Sequence, residues 1–319
     1  MDKMKAVICI KYGEPEVLKI AEVEKPTPKD NEVCIKIYAA GVTNSDIFMR
    51  GAASKLSLRT KIMMRFMVGF TKPRKPILGF VLAGKVESVG KNIKRFKPGD
   101  SIYGTGVLRL GAYAEYVCLK ETYSMLGGCI SLKPNNINYE EATMAVYGGM
   151  LALKCLFKNI NIQKGDRVLI YGASGTSGTL AIQIAKHLGA EVTGVCSASN
   201  LEIVKSLGAD HTIDYTKQDS LPEGIKYDYV LDAVGNAKTS KLKDACKNAL
   251  SPNGKYLSVD IGMPLPDADF FSKMKEYIEL GYIKPVLDKC YPMDEIVEAH
   301  RYVEKGHKKG GVAITINKE

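Results

Sequence analysis

Residues 172–178 in the middle of the chain have the composition of a phosphate-binding turn. They read GASGTSG, with Gly175 and Gly178 three residues apart. Glycines let a backbone approach a pyrophosphate, and the free amides at the start of a following helix favour negative charge. The turn lies between an apolar run at 166–171 and an amphipathic run at 179–188, as a strand–turn–helix unit requires. We therefore expect a dinucleotide pyrophosphate to be bound by Ser174, Gly175, Thr176, Ser177 and Gly178.

The end of the next apolar run distinguishes the two nicotinamide dinucleotides. The run 191–196 is followed by Ser-Ala-Ser-Asn at 197–200, without the Asp or Glu that usually holds the ribose 2′-hydroxyl of NAD. Ser197 and Asn200 can instead donate hydrogen bonds to a 2′-phosphate, and Lys205 adds positive charge nearby. We predict NADP(H) as the cofactor. The alternative is that these polar residues only cap a helix.

A second set of polar residues could contact a substrate. Thr43 could hydrogen-bond a substrate oxygen or a cofactor ribose, and Asp46 could act there or cap a helix. Tyr147 opens the segment YGG and carries a phenol that could donate a proton, although a tyrosine in such a place can also only pack. We predict Tyr147, Thr43 and Asp46 as catalytic residues and Phe48 as part of the substrate pocket.

Residues 55–75 form a basic, methionine-rich segment with apolar residues at helical spacing. Three interpretations are open: a lid over the substrate, an anchor to a membrane surface that uses the cations, or a surface helix that only packs. The lid interpretation places Met63 and Phe66 in the substrate pocket beside Phe48.

The elements that must position these residues fall into two groups. Up to about residue 120 the chain is rich in short β-type runs punctuated by Gly and Pro, at 5–10, 32–39, 83–89 and 113–119. From about residue 139, helices alternate with strands buried on both faces, which indicates a doubly wound parallel sheet. After residue 281 we expect irregular β structure, ending in a strand at 311–316 that rejoins the first part. The predicted fold class is α/β, with a β-rich domain at 1–121, completed by 284–319, and a Rossmann domain at 122–283.

The composition bounds the partners and the compartment. The net charge of +10 could suggest nucleic acid, but the lysines are dispersed through the 319 residues, so we expect no nucleic-acid partner. The eight cysteines include no CxxC pair, which favours reduced thiols in the cytoplasm. No run of about 18 apolar residues occurs, and the first residues do not have the pattern of a signal peptide, so we expect no transmembrane segment.

From end to end the chain resembles the medium-chain dehydrogenase/reductase superfamily, on its quinone oxidoreductase side. The resemblance rests on AVICIKYGEPEVLKI at 6–20, AAGVTNSD at 39–46, GFVLAGKVESVGKNIKRFKPGD at 79–100, GAYAEY at 111–116, the YGG segment, and the stretches 190–215 and 285–316. It implies a GroES-like catalytic domain, a Rossmann domain and a substrate cleft between them. It also implies roles for single residues: Ser197, Asn200 and Tyr215 at the 2′-phosphate, and Val234 and Gly235 beside the nicotinamide ribose.

Departures from the family pattern indicate the chemistry. Zinc enzymes of this superfamily carry Cys where this chain has Thr43 and His where it has Phe80, and neither replacement ligates zinc well. Without zinc an alcohol loses its activator, so quinones or alkenes conjugated to a carbonyl are the expected substrates of NADPH-dependent hydride transfer. The other interpretation is a non-catalytic NADPH sensor or a nucleic-acid binder on the same fold. A homodimer is the expected assembly, although the segment 262–270, which helps to build the dimer edge in relatives, is shorter here.

Overall fold

The computed structural model describes residues 2–51, 69–158, 160–237, 240–260 and 264–318, and the chain divides into two compact units. The first unit is Met1–Val146 with Leu287–Glu319, and the second is Tyr147–Val286. The predicted boundaries lay at 121/122 and 283/284. The first unit extends further along the chain because β7 (Cys129–Leu132) pairs with β5 (Ser101–Thr105) inside its sheet.

The first unit is built on a seven-stranded sheet around one long central strand. That strand, β3 (Glu32–Val42), is buried along most of its length and pairs antiparallel with three neighbours: β4 (Val81–Val89), β6 (Tyr116–Lys120) and β14 (Gly311–Thr315). The sheet order is β13-β14-β3-β4-β5-β7, with β6 pairing β3. This unit also contains β1 (Lys3–Cys9), β2 (Leu18–Glu24), α1 (Asn44–Arg50) and β13 (Leu287–Pro292).

The second unit is a parallel sheet of five strands in the order β10-β9-β8-β11-β12. The strands are β8 (Arg167–Tyr171), β9 (Glu191–Cys196), β10 (His211–Asp214), β11 (Tyr227–Asp232) and β12 (Leu250–Ser258). The helices of this unit are α3 (Thr176–His187), α4 (Leu201–Ser206), α5 (Lys241–Asn248) and α6 (Ala268–Glu279). This order is the Rossmann arrangement, so the predicted α/β fold class is confirmed.

The division between the units falls inside helix α2 (Tyr139–Leu151). The helix continues as one π-helical stretch, Ala152–Leu156. The predicted helix at 139–158 therefore exists but changes its hydrogen-bonding pattern in its last part. π-Helical turns of this kind are rare inside α-helices.

The expectation of irregular β structure after residue 281 was wrong for one element. Helix α7 (Ile296–Lys305) lies there, and it buries Ile296, Ala299, His300 and Val303. These residues recur every three or four positions, which is the helical period. Met63, Phe66 and most of the segment 55–75 lie outside the described residues, so their roles stay predictions. Within the described ranges no helix combines the length and the apolar character needed to cross a membrane.

Candidate functional site

The glycine turn of the second unit is shaped by close backbone packing. Gly172 has φ +81°, and a Cβ there would lie 2.3 Å from Val234 Cγ2. A Cβ at Gly178 would lie 2.2 Å from the carbonyl oxygen of Gly172, so neither position accepts a side chain without movement. At Gly175, the N-cap of α3, a Cβ would meet only the Gly172 carbonyl oxygen, at an ordinary 3.5 Å. The turn is thus tight on its inner side and open at Gly175, which fits a pyrophosphate lying against the start of the helix.

A network of hydrogen bonds joins the glycine turn to the end of β9. Asn200 Nδ2 donates to Ser174 Oγ at 3.0 Å, and Ser199 Oγ donates to Asn200 Oδ1 at 3.4 Å. Ser197 Oγ lies 3.3 Å from Ser199 Oγ. Ser197 and Asn200 occupy the N-cap positions of a 3₁₀ turn and of α4, yet neither side chain makes a capping hydrogen bond. Asn200 therefore bonds to the turn, and Ser197 is linked to Asn200 through Ser199, while neither side chain caps a helix.

Tyr215 lies at the same edge of the sheet as Ser197. Asp214, the last residue of β10, is in register with Cys196, the last residue of β9, so the next residue of each strand emerges at the same end. Tyr215 is 37% exposed, and its backbone N–H donates to the carbonyl of Cys196 at 3.1 Å. The structure thus links Ser174, Asn200 and Ser197 through side-chain hydrogen bonds and places the backbone of Tyr215 at the same edge of the sheet.

Asp214 was not singled out from the sequence. The side chain is buried, and its Oδ1 accepts hydrogen bonds from the Thr216 hydroxyl at 2.7 Å and the Thr216 N–H at 3.0 Å. These bonds lower the pKa of the Asp214 carboxyl. Its Oδ2 is buried with no hydrogen-bond partner in the described part of the chain. NAD enzymes carry their acid at the end of the strand that corresponds to β9, whereas Asp214 ends the neighbouring strand, β10. Nothing in the sequence HTID indicated that this aspartate would be buried.

The loop of Val234 and Gly235 is held by a buried aspartate that the sequence analysis also missed. Asp232, 1% exposed, accepts from the N–H groups of Val234 and Gly235, each at 3.1 Å, through one carboxyl oxygen. The other oxygen lies 2.7 Å from Lys243 Nζ and accepts from the Tyr256 hydroxyl at 2.6 Å. Burial alone would raise the pKa of Asp232, but the bonds from Lys243 and Tyr256 outweigh it and lower that pKa.

Tyr147 stands at the start of the second unit, next to the helix that follows the glycine turn. A Cβ at its neighbour Gly148 would lie 2.5 Å from the carbonyl oxygen of Thr176, the first residue of α3. A Cβ at Gly149 would lie 2.7 Å from Met274 Sδ in α6. Gly148 therefore lets α2 approach the N-terminus of α3 closely, and Gly149 lets it approach α6. Tyr147, which is half-buried, is placed one residue before that contact.

Thr43 and Asp46, in the first unit, form a capping box at the start of α1. The Thr43 hydroxyl donates to Asp46 Oδ2 at 2.6 Å, and the Thr43 N–H donates to the same oxygen at 2.9 Å. Asp46 is 1% exposed, and burial raises the pKa of its carboxyl to about 6. The Thr43 hydroxyl proton is thus already engaged, so toward another molecule this oxygen can act as an acceptor. Phe48 lies in the same helix and is half-buried.

A buried polar cluster behind α1 was also missed. Tyr113 and His300 are both fully buried, and the Tyr113 hydroxyl lies 3.2 Å from His300 Nε2. Burial and the charge of Arg50 lower the pKa of His300 to about 3, so the imidazole is neutral near pH 7. Arg50 is itself buried and pairs with Glu304. Lone histidines and arginines in a sequence carry no signal that they will be buried, which explains the omission.

The positions that hold zinc in some relatives carry no cluster of ligands. Thr43 serves the capping box, and the Phe80 side chain is buried, while its carbonyl oxygen accepts from the Thr105 hydroxyl at 2.7 Å. His187 stacks on Tyr282, and His211 pairs with the Glu191 carboxylate. In the described ranges, no three His, Cys, Asp or Glu side chains come together in a group that could hold a metal ion.

Comparison with known families covers most of the chain. The family described as alcohol dehydrogenase GroES-like domain matches residues 29–127, and models described as zinc-binding dehydrogenase match 178–279 and 263–314. The chain is 31% identical over 336 residues to 2-methylene-furan-3-one reductase of Solanum lycopersicum, a match that covers 98% of this chain and 79% of the relative. It is 30% identical over 337 residues to the chloroplastic NADPH-dependent alkenal/one oxidoreductase of Arabidopsis thaliana, with the same coverage of each protein.

Among solved structures, the quinone oxidoreductase of Coxiella burnetii superposes with a TM-score of 0.82 at 23% identity, covering 99% of this chain and 100% of that one. That likeness concerns the fold. The sequence relatives and the family models agree with it over both units. The chain belongs to the medium-chain dehydrogenase/reductase superfamily of oxidoreductases.

Proposed function

We propose that this protein is an NADPH-dependent oxidoreductase that reduces a quinone or an α,β-unsaturated carbonyl compound without zinc. The observation that carries the proposal is the network at the end of β9. There, Asn200 bonds to Ser174 of the glycine turn, Ser197 joins it through Ser199, and no acid occupies residues 197–200. The relatives named for furanone and NADPH-dependent alkenal reduction support the same class of reaction.

The second unit binds the cofactor through groups with separate tasks. The turn at Gly175 and the first amides of α3 hold the pyrophosphate, and Ser197, Asn200 and Tyr215 hold the 2′-phosphate. The loop of Val234 and Gly235, fixed by Asp232, lies beside the nicotinamide ribose. When NADPH is bound it supplies the hydride, and the protein's own part is to bind, orient and shield.

The substrate side of the proposal rests on Tyr147, Thr43 and Phe48. Tyr147 is the candidate proton donor because it carries a phenol and directly precedes Gly148, where α2 contacts α3. Thr43, whose hydroxyl donates a hydrogen bond to Asp46, caps α1 and offers its oxygen as an acceptor. Phe48 provides apolar surface for an unsaturated ring or chain. We retain Met63 and Phe66 as further pocket residues and the lid as the role of 55–75.

The residues at the two ligand positions support the proposed zinc independence. A catalytic zinc needs three protein ligands such as His and Cys, and Thr43 and Phe80 supply neither. Quinones and conjugated enones accept hydride without a Lewis acid because the developing charge spreads to an oxygen that hydrogen bonds can stabilise.

The test is steady-state NADPH oxidation with a panel of quinones, enones and simple aldehydes. We expect turnover with quinones or enones, little with aldehydes, and full activity after treatment with a chelator. The replacement Tyr147→Phe should lower kcat by about a hundredfold for an enone, the lower end of a general acid's contribution. Tyr282→Phe, a phenol removed from the same unit, is the matched control. Stoichiometric zinc with chelator-sensitive activity, or no turnover of any acceptor, would overturn the proposal.

A further inference from the structure

Two cysteines of the first unit face each other across neighbouring strands. Cys34 in β3 and Cys118 in β6 are direct partners in the antiparallel register. Directly opposite residues point to the same face of a sheet, with their Cβ atoms about 4.5–5.5 Å apart. The Cα separations of antiparallel pairs, about 4.5 or 5.5 Å, both fall within the range that a disulfide spans. Both cysteines are free thiols in the structure.

The surroundings make the two thiols unequal. The contact with the Cys118 thiol and the charge of Lys25 lower the pKa of Cys34 against the effect of burial. The same contact and burial raise the pKa of Cys118. Lys25 is fixed beside them, because its Nζ pairs with Glu87 at 2.9 Å and lies 3.9 Å from the centre of the Tyr116 ring. One thiol is therefore the better nucleophile, and the other is placed to resolve it.

The position of β6 in the sheet bears on how a small reagent could reach the two thiols. Both side chains are almost fully buried, at 1% and 2% exposure. In the described part of the chain, β6 is a five-residue strand whose ladder pairing is with β3 alone. Short edge strands open locally more readily than central strands. Local opening of β6 is therefore the step that admits a reagent the size of hydrogen peroxide in this proposal.

We propose that Cys34 and Cys118 form a redox-active pair that a hydroperoxide oxidises to a disulfide. The Cys34 thiolate attacks a peroxide oxygen, the O–O bond breaks, and the departing hydroxide takes up a proton to leave as water (as the alcohol, for an organic hydroperoxide). The sulfenic acid formed on Cys34 is then attacked by the Cys118 sulfur. The S–S bond forms, the S–O bond breaks, and the second water carries away the Cys118 proton. Two electrons pass from the dithiol to the peroxide.

The other cysteines provide internal controls. Cys155 and Cys246 are buried without a cysteine partner, and burial raises the pKa of each thiol, to about 11 and about 12. Cys290 is exposed. A general chemical sensitivity of the protein would modify the exposed thiol first. A paired site instead gives a specific cross-link with no added oxygen.

The experiment treats the full-length folded protein with hydrogen peroxide and maps peptides by mass spectrometry without reduction. We expect a cross-linked Cys34–Cys118 peptide, lighter than the two free peptides by two hydrogen atoms and reversed by dithiothreitol. During oxidation, the fraction of Cys34 that still reacts with iodoacetamide should fall at least about tenfold faster than that of Cys155. The reason is that the pKa of Cys34 lies below its ordinary value while that of Cys155 is raised to about 11, which leaves Cys34 the larger thiolate fraction. The oxidised protein should also unfold at a higher temperature than the reduced one, because the link closes a long loop.

The variants separate the two steps. In Cys118→Ser the reaction should stop at a sulfenic acid on Cys34 that dimedone traps, whereas Cys155→Ser should form the disulfide as the wild type does. If Cys118→Ser does not fold, the wild-type peptide map decides alone. Equal persistence of free Cys34 and Cys155, a cross-link between other cysteines, or oxygen added only to Cys290 would overturn the proposal.

Discussion

Asp46 shows how a single residue can combine a structural role with a titration near neutral pH. Its carboxyl closes the capping box of α1, yet one oxygen, Oδ1, is buried without a hydrogen-bond partner in the described structure. Burial disfavours the charged form, so the pKa rises to about 6. Because the folded pKa lies above that of the unfolded chain, the folded state binds the proton more tightly, and stability from this group declines as pH rises through 6.

We expect the replacement Asp46→Asn to remove that pH dependence. Asn keeps an acceptor for Thr43 but carries no charge. The free energy of unfolding of the wild type, relative to the variant, should fall by about 2–2.5 kcal/mol between pH 4 and pH 7.5. The full shift of about two pKa units is worth 1.36 kcal/mol per unit, and a small part of it is already lost at pH 4, near the unfolded pKa of about 3.9. Urea unfolding at several pH values measures it. Asp30→Asn, at an exposed carboxyl, is the control. A wild-type-minus-variant difference that stays flat or rises with pH contradicts this account.

At the residue scale, the sequence was enough to predict a role where the role depends on residue type and spacing along the chain. The spacing of Thr43 and Asp46 is a capping pattern, and the glycines of the turn are needed for close backbone contact at Gly172 and Gly178. Burial of charged residues could not be predicted in the same way. Lys243 and His300 have charged residues around them, and Asp232 ends an apolar strand, but only the packed structure shows that all three side chains are buried.

Helix α5 and the end of β11 depend on one buried ion pair. Lys243 Nζ lies 2.7 Å from Asp232 and also donates to the carbonyl of Gly235, so it fixes the loop that follows the strand. Removing one partner of a buried pair leaves an uncompensated charge, which typically costs about 3–5 kcal/mol.

Lys243→Met should therefore lower the free energy of unfolding by about 3–5 kcal/mol. It should also raise the KM for NADPH, because the loop of Val234 and Gly235 loses its support. Chemical denaturation and steady-state kinetics measure the two effects. Lys241→Met, at an exposed lysine of the same helix, should change neither. Adding Asp232→Asn to Lys243→Met should restore part of the stability. A Lys243→Met protein as stable as the control would show that the pair is not structural.

At the element scale, the accuracy of the sequence predictions followed the clarity of the periodicity. The strands β9 and β10 were predicted to the residue, since each begins shortly after a glycine that ends a helix, Gly189 and Gly208. Helix α7 was missed because its buried positions include Ala299 and His300, which dilute the apolar stripe. Strand β2 was missed because it is mostly exposed and alternates weakly.

At the scale of the whole molecule, the fold class was predictable because strands and helices alternate over the second unit. Where the units divide was harder to predict, because α2 carries one continuous helical pattern across the division at Val146. The comparisons add the family at about 30% identity over nearly the whole chain. The substrate has to be inferred from the residues of the site, since one fold in this class hosts many reactions.

The preference between the two cofactors tests the central claim most directly. Two hydrogen bonds to a charged 2′-phosphate, each contributing about 1.5–3 kcal/mol, should favour NADPH over NADH by roughly a hundredfold or more in kcat/KM. Ser197→Asp should repel the phosphate, hold the ribose diol and shift the ratio toward NADH. Ser206→Asp, an exposed serine in the following helix, adds the same charge elsewhere and should leave the ratio nearly unchanged. Measured with an acceptor that the protein turns over, equal use of NADH and NADPH by the wild type, or an unchanged ratio in Ser197→Asp, would contradict the account.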